Sequence, residues 1–259
     1  MTKYMAKLPN PRLFVDPDRA ERQVFVLSEL YDALNGPWHA HGRAQLIHAS
    51  TGVLTVEIRS GLWVVPPNRA VWILPNTEHR VSSRKAFWLR TLYAAEGSTD
   101  FPQSCCVVAV DSLVSELFIA ASEFGSNFQI GGAEDRLIRV ILDRLPQLAI
   151  APLHLPAIKD RRLARIGAEI MNDLTVERTL SAYASAAGLA VRTAARLFVK
   201  DTGLTFGQWR HQLRMLRALE LLGNGSSVTD VAFDVGYRDT SAFIAIFRRT
   251  FGKTPGQYS

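Results

Sequence analysis

The rhythm of apolar and polar positions changes as this chain is read from its start. Leu54, Val56 and Ile58 alternate with Thr55, Glu57 and Arg59. A period of two predicts a strand with one face toward a core. Short apolar runs follow at 63–65, 71–74 and 87–93, separated by Ser60-Gly61, Pro66-Pro67-Asn68 and Pro75-Asn76. Those dipeptides punctuate turns. Residues 105–110, CCVVAV, predict one more strand. Many short strands with this punctuation imply an antiparallel sandwich or barrel, strand-like from Gln45 to Tyr93. The first forty residues, rich in Pro and charge, read as an arm leading into it.

At Asp111 the period becomes helical. Leu113, Leu117 and Ala120-Ala121 recur at three to four residues, and so do Leu137, Ile138, Ile141, Leu142 and Leu145. The stretch from Gly125 to Gly132 separates two helices, Pro146 closes the second, and residues 151–156 read as a Pro-bounded linker. From Arg161 onward everything predicts short helices. The expected organisation is an α+β chain of several units: a β domain over 1–110, a helical linker over 111–158 and an all-α domain over 159–259. The linker's apolar stripes exceed what one small domain needs, which suggests dimerisation through it.

The last third contains an internal repeat. Ala184, Gly188, Phe198, Gly203, Gly207 and Trp209 are matched by Ala232, Gly236, Phe247, Gly252, Gly256 and Tyr258. The small alanine suits a close helix crossing, and the glycine four residues on ends that helix and permits a tight turn. Each copy therefore predicts helix, short turn, helix, which is a helix-turn-helix unit. Trp209, Leu213, Leu216, Leu219 and Leu222 predict one long helix between the copies, ended by Gly223-Asn224-Gly225, with Ser227 as the next N-cap.

Charge sharpens this picture. The 259 residues carry a net charge of +6. Residues 1–160 hold 16 basic and 16 acidic side chains, whereas residues 161–259 hold 14 and 8. The whole excess lies on the repeat-bearing part, as expected where one half meets a polyanion. Residues 175–259 resemble the AraC/XylS-type DNA-binding domain, most specifically in the 228–255 stretch VTDVAFDVGYRDTSAFIAIFRRTFGKTP. The resemblance implies a transcription regulator with two reading helices on double-stranded operator DNA. The first is expected at 191–200, with Arg192, Thr193 and Arg196 toward the bases; arginine can hold guanine O6 and N7 together. The second is expected at 240–250, with Thr240, Ser241, Ile244 and Ala245 outward. It lacks the long polar side chain that some family members have at Ala245, so the first unit should carry most base specificity. Lys200, Arg210, Arg214, Arg238, Arg248, Arg249 and Lys253 are the phosphate candidates.

The other chemistry lies in the β domain. His39, His41, Gln45 and Gly52, followed by His79, resemble the motifs of the cupin β-barrel. Two departures stand out: Gln45 occupies the place of a cupin's glutamate ligand, and Leu74-Pro75-Asn76 replaces its Pro-x-Gly turn. Three readings are open. The histidines can hold Zn²⁺, Ni²⁺ or Fe²⁺. They can line an effector pocket with Gln45 and the apolar walls Trp38, Trp63 and Trp72. They can also be hydrogen-bonded pocket histidines only. AraC-type regulators with cupin-like sensor domains use this pocket for an inducer, so the resemblance implies effector sensing, with no cofactor strictly required. His48, His154 and His211 stand alone and read as surface or loop residues. Cys105 and Cys106 read as buried small hydrophobes.

No apolar run reaches bilayer length, no signal-peptide core begins the chain, and no Walker loop, Rossmann fingerprint or nucleophile elbow is present. The expectation is a cytoplasmic, non-enzymatic, homodimeric one-component regulator that would engage RNA polymerase if it activates. The rivals are a metal-dependent cupin enzyme with a DNA-binding tail and a purely architectural DNA binder without a ligand.

Overall fold

The computed structural model describes residues 16–100, 102–151 and 153–258. Within them the strands are β1 (Val24–Tyr31), β2 (Leu34–Asn35), β3 (Ala44–Thr51), β4 (Leu54–Ile58), β5 (Gly61–Val65), β6 (Arg69–Ile73), β7 (His79–Ser83), β8 (Phe87–Ala94) and β9 (Cys106–Ala109). Helices α1 (Ser112–Phe124) and α2 (Ala133–Arg144) follow, then β10 (Ile150–Ala151) and β11 (His154–Pro156). The remainder is helical: α3 (Arg161–Asn172), α4 (Leu180–Ala186), α5 (Val191–Thr202), α6 (Phe206–Gly223), α7 (Val228–Asp234) and α8 (Thr240–Phe251).

The strands form an antiparallel sandwich. One sheet has the order β1-β8-β3-β6-β9-β10, the other β11-β5-β4-β7-β2. In the first sheet both faces are covered. Ile47, Val71, Ile73 and Phe87 belong to one core cluster, while Val26, Leu46, Ala70 and Leu92 join Val114, Phe118, Ala121, Ile138 and Ile141 of α1 and α2 in another. The helical stripes assigned above to a partner subunit are thus covered by this chain's own sheet. Leu113 and Val140 remain exposed.

Three expectations need correction. The arm contains β1, whose Val24–Tyr31 pairs along its whole length with β8; residues 1–15 lie outside the described part. Because β1 is covered on both sides, its first four residues are apolar without alternation, and period two is lost. The 151–156 segment is structured as well. β10 pairs with β9 in one sheet and β11 with β5 in the other, so the chain changes sheets here; Pro152 lies outside the described residues. The lone histidines are also inside: His48 is buried beside Phe118, His154 stacks on Trp63 with centroids 4.7 Å apart, and His211 is half-buried.

The helical repeat has a hydrogen-bonded basis. After α4, Leu189 N–H donates to Ala184 O at 2.8 Å; after α7, Tyr237 N–H donates to Ala232 O at 2.9 Å. Both turns run through a left-handed glycine, Gly188 at φ 66° and Gly236 at φ 80°. Thr179 and Ser227 cap α4 and α7, each accepting from the backbone three residues on. Thr205 and Thr254 both form capping boxes, with Gln208 and Gln257.

The reading domain is docked on the sandwich. α6 packs against β5 and β11, and buried Trp209 donates from Nε1 to Pro156 O at 3.0 Å. Gln212 donates to His154 O, and Lys85 to Asn224 O. Arg84 pairs with Glu220 at 3.2 Å, and Asp201 accepts from the backbone N–H groups of Lys159 and Asp160.

Candidate functional site

Two surfaces gather most of the residues singled out above. On α5 the exposed residues are Val191, Arg192, Ala195, Arg196, Val199 and Lys200, while Ala194 and Phe198 are buried. Arg192 and Arg196 thus stand one turn apart on the outward stripe, and Thr193 is half-buried at its edge. On α8 the exposed residues include Ser241, Ala242, Ala245, Arg248 and Arg249. Thr240 is half-buried, and Ile244 packs on the core rather than facing outward as expected. The 49-residue offset between Phe198 and Phe247 sets Ser241 and Ala245 where the first unit has Arg192 and Arg196. Sequence reading missed the methyl-bearing Val191, Ala195 and Val199, because exposed alanine and valine carry no charge to mark them.

The phosphate candidates divide. Lys200, Arg248, Arg249 and Lys253 are exposed. Arg238 is exposed too, but it pairs with Glu177 at 2.6 Å. Arg210 donates to Arg178 O at 3.1 Å and lies over Phe206. Arg214 is the clearest misfit. Its Nη2 donates to Leu174 O at 3.0 Å, its guanidinium lies 5.8 Å from the Tyr237 ring centroid, and burial lowers its pKa. Arg214 fastens α6 to the loop before α4 and to the second turn.

The second surface is internal. A cavity of about 680 Å³ opens between the sheets, lined by Leu27, Leu34, Val81 and Leu89, by Glu29, Tyr31, Thr91 and Tyr93, and by His39, His41 and Gln45. Asp16 and Asp18 stand at the same cavity, and Asp18 accepts from Gly42 N–H. The strand registers explain the lining: Leu27 faces Thr91 across β1 and β8, and Gln45 faces Tyr93 across β3 and β8. Burial and the neighbouring Glu29 raise the pKa of both tyrosines, and the Tyr31 hydroxyl bonds to Glu29, so both rings present neutral phenols.

The three tryptophans proposed as walls are absent from that lining. Trp38 lies under Arg59 and Arg80, 4.8 and 5.3 Å from their guanidinium carbons. Trp63 is buried in the core against His154. Trp72 is buried on the helix-covered face, and its Nε1 donates to Pro102 O. An apolar tryptophan can bury against any core, and parity along each strand decides which.

The histidines do converge. His39 and His79 exchange backbone hydrogen bonds of 2.9 and 2.8 Å, which brings together residues forty positions apart. One ring nitrogen of each of His39, His41 and His79 lies within 4.8 Å of the others. Every Nδ1 faces a backbone carbonyl: His39 to Pro37 at 3.0 Å, His41 to Arg43 at 2.9 Å and His79 to Thr77 at 2.8 Å. A carbonyl only accepts, so each Nδ1 donates and Nε2 is the nitrogen left for another partner. Burial, reinforced by the two other rings, holds the His79 pKa down at about 4. Three imidazoles anchored through Nδ1 fit a borderline divalent ion such as Zn²⁺, Ni²⁺ or Fe²⁺.

A β-sandwich with an internal cavity, joined to paired helix-turn-helix units with an arginine-bearing reading helix, defines a DNA-binding transcription regulator with a ligand-binding domain. Comparison with known proteins agrees. Residues 24–99 match the AraC-like ligand binding domain and residues 183–259 the helix-turn-helix domain. The HTH-type transcriptional regulator NimR of Escherichia coli K12 is 35% identical over 246 residues, 94% of this chain and 90% of that protein. This chain belongs to the AraC family of transcriptional regulators. The transcriptional activator NphR of a Rhodococcus species is 34% identical over 155 residues, covering 56% of this chain and 45% of that protein. A fatty-acid-bound ToxT structure from Vibrio cholerae aligns over 91% of this chain and 93% of its own at 12% identity, with a TM-score of 0.38. That likeness is too distant to carry an argument. The relatives are transcription regulators, and the cupin-enzyme alternative falls away. No helix among the described residues is long and apolar enough to cross a membrane.

Proposed function

We propose that this regulator binds a small effector in the sandwich cavity and that occupancy changes how the two reading helices are held on operator DNA. The observation that carries this is the cavity itself. It combines apolar walls, two neutral phenols and the two anchored imidazoles of His39 and His41, the mixture of shape and few polar groups that small-ligand sites use. The sheet containing Val81 and His79 closes one side of it, and α6 packs against β5 of that same sheet. A ligand that favours one arrangement of the sheet therefore biases α6, and with it both helix-turn-helix units.

In this reading Arg192 and Arg196 contact bases, with Thr193 beside them, and α8 contributes Ser241 and Thr240 with a weaker preference. Lys200, Arg248, Arg249 and Lys253 hold phosphates. Arg238 joins them if it leaves Glu177. A dimer would present four units to two half-sites. A second occupant is favoured by the histidine geometry: a divalent metal on His39, His41 and His79, alone or beneath an organic effector.

The test starts by selecting DNA bound by the full chain from a random duplex library. Operator affinity and melting temperature are then followed while metals and small organic acids, amines and aromatics are titrated. A ligand that raises the melting temperature and shifts operator affinity at least several-fold is expected. If operator binding is strong and every ligand leaves both readings unchanged, the protein is an architectural DNA binder and the sensing role is lost.

A further inference from the structure

The sandwich cavity is lopsided in charge. Glu29, Asp16 and Asp18 line it, and no lysine or arginine does. Two of these acids are already answered. Asp16 pairs with Arg19 at 3.2 Å. Asp18 accepts from Gly42 N–H at 2.8 Å and stands in the field of Arg43. Glu29 has no such counterpart. It is half-buried on β1, and one of its carboxylate oxygens accepts from the Tyr31 hydroxyl. It pairs with no lysine or arginine among the described residues. Arg90 of β8 does not reach it, because Leu89 and Thr91 line the cavity and the residue between them alternates to the other face. There Arg90 lies in the field of Glu116 on α1.

The surroundings of Glu29 suit a cation. Tyr31 stacks on buried Phe87 with ring centroids 5.2 Å apart, and Tyr93 on buried Phe25 at 5.3 Å. Both rings are fixed before a ligand arrives, which spares the entropy of ordering them. Burial, and after it the charge of Glu29, keeps both phenols protonated, so neither adds or removes charge. An aromatic face attracts an ammonium group, and so does a carboxylate, more strongly where water is partly excluded. An acidic ligand meets the opposite: repulsion from Glu29, with no lysine or arginine to receive it. Leu27, Leu34, Val81 and Leu89 make the rest of the wall apolar, so the charge must be carried on an apolar body.

We propose that the cavity takes an organic cation, a protonated amine or amidine on an apolar body, and that Glu29, with the rings of Tyr31 and Tyr93, is what recognises its charge. This rests on reading the cavity as the effector site. The cation's N–H groups donate to the Glu29 oxygen that Tyr31 leaves free. Its body lies against the leucines of β1 and β8. Acids of the same size are rejected by charge rather than by shape.

The experiment compares phenylbutylamine, phenylbutanol and phenylbutyric acid, which share a carbon skeleton and differ in charge. Each is titrated calorimetrically into chelator-treated full-length protein with no DNA present, so that no bond from the amine to a metal contributes. The amine should bind at least tenfold more tightly than the alcohol, and the acid more weakly still. Glu29→Gln should abolish the advantage of the amine. Glu29→Asp should keep part of it and Asp18→Asn all of it, with circular dichroism confirming that each variant is folded. If the wild-type chain binds amine and acid equally, prefers the acid, or takes up no amine at millimolar concentration, the proposal is overturned, and this comparison needs no variant. If the advantage survives in folded Glu29→Gln, the role of Glu29 is overturned. Amine binding that depends on Glu29 but leaves operator affinity unchanged upholds the cation site and removes the sensing role, so the two readings fail separately.

Discussion

Arg192 and Arg196 present two guanidinium groups one turn apart on the exposed stripe of α5, and their counterparts on α8 are Ser241 and Ala245. An arginine lost from a bidentate guanine contact costs about 1–3 kcal/mol of discrimination. Arg192→Ala and Arg196→Ala should therefore each flatten the preference for selected over scrambled DNA by roughly ten- to a hundredfold. Ser241→Ala should change it much less. Competition binding on both DNAs checks this, and a uniform loss on both would make the arginines phosphate contacts. A different residue-scale test concerns His48 and His154. Burial lowers the pKa of both. The folded chain keeps them neutral, while the unfolded chain regains a value near ~6.5. As pH falls through that value the unfolded state takes up protons that the folded state refuses. Stability is thus full above about pH 6.5 and declines below it. The melting temperature should drop between about pH 7 and pH 5, and His48→Leu should reduce the slope.

At the scale of elements, the two helix-turn-helix turns are built alike and stressed differently. A Cβ added at Gly188 meets nothing within 4 Å, whereas at Gly236 it would lie 2.5 Å from Leu174 O and 2.7 Å from Arg214 Nη2. Gly188→Ala should cost about 1 kcal/mol for the left-handed backbone alone. Gly236→Ala should cost about 2–3 kcal/mol or more, because a backbone oxygen must also move. Denaturant midpoints of the two variants check the ranking, and equal losses would contradict it. These helices were legible in the sequence because their caps and glycines are local signals; Thr179, Ser227 and Gly225 sit where the boundaries fall. β1 was not legible, since a strand covered on both faces shows no alternation. Arg214 was misread for a related reason: its charge advertises phosphate, and only the carbonyl of Leu174 and the ring of Tyr237 reveal its post.

At the scale of the whole molecule, the sandwich and the helix-turn-helix domain share one interface along α6. Gly223 approaches Val53 so closely that an added Cβ would fall 1.9 Å from Val53 Cγ2. Gly223→Val should loosen the docking, speed proteolysis in the 157–160 connection and weaken the influence of any effector on operator affinity. Unchanged proteolysis together with an intact effector response would show that α6 docking transmits nothing. Operator affinity should also fall steeply and log-linearly with salt, because several phosphates are neutralised. A flat response would remove the electrostatic part of the reading.

The sequence alone determined the order of the parts: a strand-rich first domain, a pair of helices, then a tandem unit that holds the entire excess of positive charge. It could do so because periodicity, caps, turn glycines and charge are written within a few residues of one another. The tertiary structure decided everything that depends on which distant residues meet. It paired His39 with His79, turned Gln45 toward two of the rings and filled the cavity wall with Tyr31 and Tyr93 instead of tryptophan. It also tied Arg214 to the carbonyl of Leu174. Those outcomes follow from strand register and helix docking, where a shift of one residue exchanges inside for outside and no local signal records the choice.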